Sequence, residues 1–273
     1  MKKVAIIGLG WLGMPLALSL MGRGWAVVGS KTTDDGVEAA RMCGVESYPL
    51  RFEPQLVCEP DDLDALLAVD ALVITLPARR SGEGKDFYLQ AVQELVDLAL
   101  ARHIPRIIFT SSTSVYGKAE GTVTEQTPCV PVSTSGQVLV ELEDWLHQLP
   151  NTSVDVLRLS GLVGPDRHPG RFFAGKVASD GQQGVNLVHL EDVIAAIMLL
   201  LQTPTGGHLY NLCAPQHPAR GVFYPQMARE LGVAEPSFSE SDTGQGKIID
   251  GNRICRELGF EYQHPDPLCM PLE

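Results

Sequence analysis

Short uncharged runs rich in β-branched residues recur along this chain, and between them apolar residues return at every third or fourth position. The first run, Lys3 to Ile7, carries no charge after its first residue, as a strand buried on both faces does. A helix from about Trp11 to Met21 follows, then a strand from Trp25 to Gly29, a helix from about Asp35 to Cys43, and an extended piece from Val45 to Phe52. Asp61 to Ala68 reads as helix, with acidic residues in the first turn where the helix dipole favours them. Ala71 to Thr75 is a fourth strand. From about Lys85 to Arg102 an amphipathic pattern places Phe87, Ala91, Val92, Leu95, Val96 and Ala99 on one stripe. Arg106 to Thr110 is a fifth strand, Ser135 to Leu149 a helix, and Val154 to Leu159 a sixth strand.

That rhythm predicts an α/β chain with a Rossmann, doubly wound parallel sheet and helices on both faces. After Gly164 it loosens, with Pro, Gly and His scattered from Pro165 to Gly184. The expected division is therefore a dinucleotide-binding domain over 1–164 and a smaller C-terminal α+β lobe on the substrate side over most of 165–273. A segment of about 186–213 is expected to return to the first domain, because its helix from Leu190 to Gln202 is apolar nearly all round. Tyr224 to Leu231 and Asn252 to Leu258 complete the lobe.

With 44% hydrophobic and 20% charged residues among 273, the chain can bury a large core. The formal charge of -12, with no basic cluster, excludes a surface built for nucleic acid, and no membrane partner is expected either. Cysteines at 43, 58, 129, 213, 255 and 269 form no C-x-x-C pair and have no histidines at zinc-ligand spacing. Scattered thiols fit a reducing, cytoplasmic setting. Lys2 and Lys3 before the uncharged stretch Val4 to Gly22 imitate a secretory signal, but Pro15 and the glycines at 8, 10 and 13 inside it argue for mature sequence.

Gly8-Leu9-Gly10-Trp11-Leu12-Gly13 is a G-x-G-x-x-G set between a buried strand and a helix, and that context gives each glycine a task. Gly8 permits the tight turn, Gly10 removes the side chain that would block a pyrophosphate, and Gly13 lets helix and strand pack closely. The helix N-terminus, with Trp11 and Leu12 in its approach, offers a positive dipole end to the phosphates.

The end of the second strand sorts the two nicotinamide cofactors, since an acid there bonds the ribose 2′-hydroxyl and repels a 2′-phosphate. Here Gly29 is followed by Ser30, Lys31, Thr32 and Thr33, a lysine among hydroxyls that suits a phosphate. NADP is the preferred cofactor on this reading. The alternative is a solvated Lys31 with Asp34 or Asp35 on the ribose, and therefore NAD. Leu76 and Pro77 after the fourth strand, with Thr110 and Ser111 on the fifth, complete the expected cofactor contacts.

Ser111-Ser112-Thr113-Ser114-Val115-Tyr116-Gly117 resembles the S-S-x-x-V-Y-G segment of the extended short-chain dehydrogenases, the superfamily of nucleotide-sugar epimerases and dehydratases. Arg158 to Pro165 is similar to that family's R-x-x-x-x-Y-G-P, with Val163 at the tyrosine. Val188-His189-Leu190-Glu191-Asp192-Val193 resembles its H-V-x-D-V, and Tyr210-Asn211-Leu212 its Y-N-V. G-x-G-x-x-G in place of the usual G-x-x-G-x-x-G is similar to the atypical, YeeZ-type bacterial members. The resemblance implies a small-molecule substrate, and a homodimer through the helices at about Lys85 to Arg102 and Ser135 to Leu149.

It also exposes a loss. The family's acid–base pair is Y-x-x-x-K followed by a glutamate, and here Ser135 replaces the tyrosine and Leu139 the lysine, while Glu143 aligns. A phenol beside an ammonium can exchange a proton near neutrality. An aliphatic hydroxyl is a far weaker acid, and leucine supplies no charge. Ser112 matches the polar partner of the reacting oxygen, and Tyr116 and Lys118 read as structural and surface residues. His189 reads as structural, and His168 in the irregular lobe is the remaining titratable candidate for a substrate contact.

Two functions follow: an oxidoreductase or epimerase on a nucleotide sugar or related carbinol, or a dinucleotide-binding sensor without turnover and without a substrate. The glycine loop also matches hydroxyacid and 6-phosphogluconate dehydrogenases, but their second halves are all-helical, whereas Val154 to Leu159 and Leu209 to Cys213 read as strands.

Overall fold

A computed structural model describes residues 2–53, 55–78, 85–239 and 246–272. Seven strands share one sheet: β1 Lys3–Ile7, β2 Ala26–Lys31, β3 Glu46–Pro49, β4 Ala71–Ile74, β5 Arg106–Ser112, β6 Ser153–Leu159 and β7 Leu209–Leu212. Their order is β7-β6-β5-β4-β1-β2-β3. Pairings of β1 with β2 and β4, of β2 with β3, and of β4 with β5 are parallel. Chain order reverses at β1, which lies between β2 and β4; such a switch point opens a crevice at the carboxyl ends of the strands. The expected Rossmann sheet is present.

The helices between β1 and β6 are α1 Gly13–Met21, α2 Asp34–Met42, α3 Pro60–Leu67, α4 Lys85–Ala101 and α5 Thr134–Leu146. β1 from Val4 and β4 throughout are buried at consecutive positions, so both faces of the central sheet are covered. The α4 stripe at Ala91, Val92, Leu95, Val96 and Ala99 is buried within the chain and faces its core.

The chain divides into two compact units that interleave in sequence. The first comprises Met1–Ser111, Ser133–Leu157 and Ala196–Leu209, and the second Ser112–Val132, Arg158–Ala195 and Tyr210–Glu273. The boundary expected at 164 therefore falls inside the second unit, which also takes 112–132. The returning helix, α6 Leu190–Gln202, contributes its C-terminal part to the first unit and its start to the second.

The second unit is built from short two-stranded ladders. Gly161–Val163 pairs with Leu187–His189, Val177–Ala178 with Ser237–Phe238, and Lys247–Ile249 with Gly121–Val123. It also carries α7 Arg220–Glu230 and α8 Arg253–Leu258. Val163, Leu187, Phe223, Tyr224 and Met227 form its apolar centre, with Phe173 packed against them. Helix α7 begins four residues earlier than the periodicity indicates. The amides of Arg220 and Gly221, orphaned in a first turn, donate to the carbonyls of Gln183 and Gly181. That support comes from a distant loop that periodicity cannot report. Among the described residues no helix is long and apolar enough to cross a membrane.

Candidate functional site

The glycine loop joins β1 to α1 as its spacing requires, and each glycine answers to a different neighbour. Gly8 has φ +101°, a backbone state that L side chains rarely adopt. A Cβ on Gly13 would lie 2.1 Å from the carbonyl oxygen of Gly8, so only glycine lets the helix close on the turn. A Cβ on Gly10 would meet nothing within 4 Å, and Gly10 is exposed. The turn therefore does not need a glycine at position 10. An approaching ligand does, because the missing side chain leaves the backbone open there.

The first turn of α1 is consistent with an anion. Its N-cap is Leu12, which supplies no side-chain hydrogen bond, whereas Thr33 and Ser133 cap α2 and α5 by accepting from Gly36 and Gly136. A phosphate can supply what Leu12 lacks. Trp11 is half-buried beside this turn. The residues present thus fit a dinucleotide pyrophosphate.

The loop is held from below by contacts that its own sequence does not announce. Thr75 Oγ1 donates within 2.7 Å of the Gly8 carbonyl and lies 3.1 Å from that of Ile7. The Gly8 amide donates to Ser30 Oγ at 3.1 Å, and the Leu9 amide to the Ser30 carbonyl at 2.9 Å. Leu9 is buried over Gly29, where a Cβ would fall 2.6 Å from the leucine side chain. Gly29 thus gives Leu9 its room, and a glycine inside a strand is the kind of signal that marks such a close approach.

These contacts redistribute the residues after β2. Ser30, expected beside a phosphate, is buried and turned toward Gly8, so it shapes the loop from within. Thr33 is consumed as the cap of α2. Lys31 rests its stem near Gly36, and Thr32 is exposed, which leaves these two facing outward at the strand end. Asp34 and Asp35 occupy the exposed first turn of α2, where the dipole favours them.

On the other side of β1, Leu76 lies close to Gly8 and Pro77 is exposed. Tyr88 Oη donates to the Leu76 carbonyl at 2.8 Å, and burial raises the pKa of this phenol. Thr110 is buried and donates to the Ile74 carbonyl at 3.0 Å, tying β5 to β4.

The positions of the lost acid–base pair lie at the start of α5. Ser135 Oγ is 3.2 Å from Ser133 Oγ, the capping hydroxyl. Leu139 is 4% exposed and belongs to the core. Glu143, one turn further, is buried and accepts a hydrogen bond from Ser111 Oγ, so Ser111 faces a carboxylate inside the protein. Ser111, expected at the cofactor, is thereby engaged from within.

Ser112, His168 and Tyr116 belong to the second unit. Ser112 Oγ accepts from the Ser114 amide at 3.1 Å and so caps the 3-10 turn Thr113–Tyr116. That bond uses a lone pair and leaves the hydroxyl proton unused. His168 Nδ1 accepts from the Gly170 amide at 3.0 Å, which orients the ring at the head of a second 3-10 turn. Tyr116 is fully buried; its hydroxyl donates to Asn211 Oδ1 at 2.7 Å and accepts from Arg158 at 2.8 Å. Burial raises its pKa, and it serves as a packed, bonded phenol.

Lys247 was not singled out by any motif. Its ammonium donates to the Gly117 carbonyl at 2.9 Å and lies 3.4 Å from the Thr113 carbonyl, at the end of the turn that Ser112 caps. Burial lowers its pKa.

Known proteins align with this geometry. The family described as "NAD dependent epimerase/dehydratase family" matches residues 4–213. Protein YeeZ of Escherichia coli K12 is 76% identical over 274 residues, covering 100% of both chains. Among solved structures, a UDP-glucuronic acid 4-epimerase from Bacillus cereus in complex with NAD superposes with TM-score 0.77 at 18% identity, over 98% of this chain and 97% of that one. A UDP-glucose 4-epimerase from Thermotoga maritima gives 0.78 at 16% identity, over 97% and 96%. At such identity the two structures speak to the fold.

Proposed function

This chain belongs to the NAD-dependent epimerase/dehydratase family, and we propose that it binds a nicotinamide dinucleotide at the Gly8–Gly13 loop, with NADP preferred, and that it carries no Tyr–Lys proton relay. The observation that carries the binding is Gly10: exposed, surrounded by open space, and set between two glycines that the turn itself requires. The cofactor, when bound, would supply hydride chemistry at its nicotinamide. The chain would hold the pyrophosphate at the N-terminus of α1 and the ribose end near Lys31 and Thr32.

The NADP preference rests on what lies at the end of β2. With Ser30 and Thr33 engaged elsewhere, Lys31 and Thr32 are the remaining candidates for a 2′-phosphate. Titration with NADPH and NADH, followed by quenching of Trp11, is expected to show NADPH binding at least about tenfold tighter, the equivalent of one favourable charged contact. Lys31→Asp should reverse that order. Equal affinity for the two cofactors would remove the preference, and no binding of either would remove the proposal.

A function without turnover suits Ser135 and Leu139, one bonded to a capping hydroxyl and the other in the core. A second reading, oxidation or epimerisation of a nucleotide sugar, is favoured by Ser112, whose hydroxyl proton is uncommitted in its capping bond. Incubation with NADP and a panel of nucleotide sugars separates the two. Reduced cofactor or an altered sugar would establish the second, and unchanged reactants with bound cofactor would support the first.

A further inference from the structure

We propose that His189, Glu191 and His264, all in the second unit, form a binding site for a divalent transition metal of the zinc class. One ligand atom from each of the three lies within 4.8 Å of the others. His189 ends the strand Leu187–His189, Glu191 stands in the first turn of α6, and His264 comes from the C-terminal segment.

The donor set is prepared from behind. His189 Nε2 lies 2.7 Å from the Pro271 carbonyl and donates to it, which fixes the tautomer and makes Nδ1 the lone-pair nitrogen, on the side of Glu191. A metal-bound histidine is commonly oriented in this way, by a carbonyl on its other nitrogen. His264 is placed by Asp192, whose buried carboxylate accepts from the amides of Gln263 at 2.7 Å and His264 at 3.2 Å. The two rings meet edge to face at 4.2 Å.

Glu191 Oε2 lies 2.6 Å from His264 Nε2 and 3.9 Å from His189 Nδ1. A tetrahedral ion with bonds near 2.0–2.1 Å holds its donors about 3.3 Å apart, between those two values. The Glu191 side chain is 57% exposed and can shift between them. An ion would displace two bonds, the long one from the Glu191 amide to His189 Nδ1 at 3.3 Å and the short one from His264 Nε2 to Glu191 Oε2 at 2.6 Å. Two imidazoles and one carboxylate suit zinc, and water would complete the shell. The ion would tie the C-terminal segment to the start of α6.

The competing account is an ion pair between Glu191 and His264 beside a structural His189. Full-length protein, freed of metal by chelator dialysis, would be titrated with Co2+ and then Zn2+. The expected result is one Co2+ per chain with ligand-field bands of nitrogen and oxygen donors, displaced by Zn2+. Glu191→Gln and His264→Gln should each weaken it at least about tenfold, with the circular dichroism of the metal-free protein unchanged. Absence of binding, binding unaffected by both substitutions, or a thiolate-to-cobalt charge-transfer band from any of the six cysteines would each overturn the site. The outcome is independent of whether the dinucleotide binds.

Discussion

Gly10→Ala is expected to melt at the wild-type temperature and to bind dinucleotide about 100-fold more weakly. The two halves of that expectation come from different neighbours. Nothing within 4 Å opposes the added methyl group, so the folded state is untouched. A pyrophosphate that needs backbone contact would be pushed away, and losing a close charge-assisted contact of about 2–3 kcal/mol corresponds to roughly that factor. Gly13→Ala should behave in the opposite order. Its methyl carbon would lie 2.1 Å from the Gly8 carbonyl oxygen, a backbone atom that cannot swing aside. A loss of about 2–3 kcal/mol in stability is expected there, as for overpacked cores, and binding would fail as a consequence. Thermal melting and Trp11 quenching measured on the same two samples decide the matter. If Gly10→Ala binds as well as wild type, the loop is a turn and not a phosphate site.

The contrast explains what the sequence could and could not disclose. G-x-G-x-x-G between an uncharged strand and a helix located the turn, because spacing and strand pattern are local properties. The parallel sheet was legible for the same reason, from consecutive apolar residues at Val4 to Ile7 and Ala71 to Ile74. The supports of the loop were not. Thr75 reads as the end of a strand, and only the fold brings its hydroxyl to the Gly8 carbonyl. Ser30 reads as a phosphate ligand until its burial and its bond to the Gly8 amide are seen.

The same distinction governs the rest of the site. The loss of tyrosine and lysine at 135 and 139 was visible from residue type alone. That Glu143 is buried against Ser111 required two segments to meet. The interleaving of the two units was illegible because it depends on which segments far apart in the chain pack together, and no periodicity records that. Short ladders such as Lys247–Ile249 with Gly121–Val123 are three residues each, too brief to show an alternating pattern.

Arg106→Met should cost about 3–5 kcal/mol of stability, the largest effect expected of any single change in the first unit, at a residue no motif marks. Arg106 is 13% exposed and Asp155 fully buried, and the guanidinium contacts that carboxylate at 2.7 Å. It also donates to the carbonyls of Leu200 and Thr203, both at 2.8 Å, satisfying acceptors at the C-terminal end of α6. On its other oxygen Asp155 accepts from the His208 amide at 3.0 Å and from the imidazole at 2.7 Å. Gly206 leaves the room for this arrangement, since a Cβ there would lie 3.1 Å from Arg106 Nε. Removing the arginine strands a carboxylate with one partner out of water and frees two carbonyls. The cost is therefore mainly that of an uncompensated charge, not the worth of the pair. Arg106→Met combined with Asp155→Leu should recover part of the loss, because no charge is left behind. Urea denaturation of the two single variants and the double variant would measure the coupling. A loss below about 1 kcal/mol in Arg106→Met, the range of an exposed pair, would show that water reaches Asp155 after all.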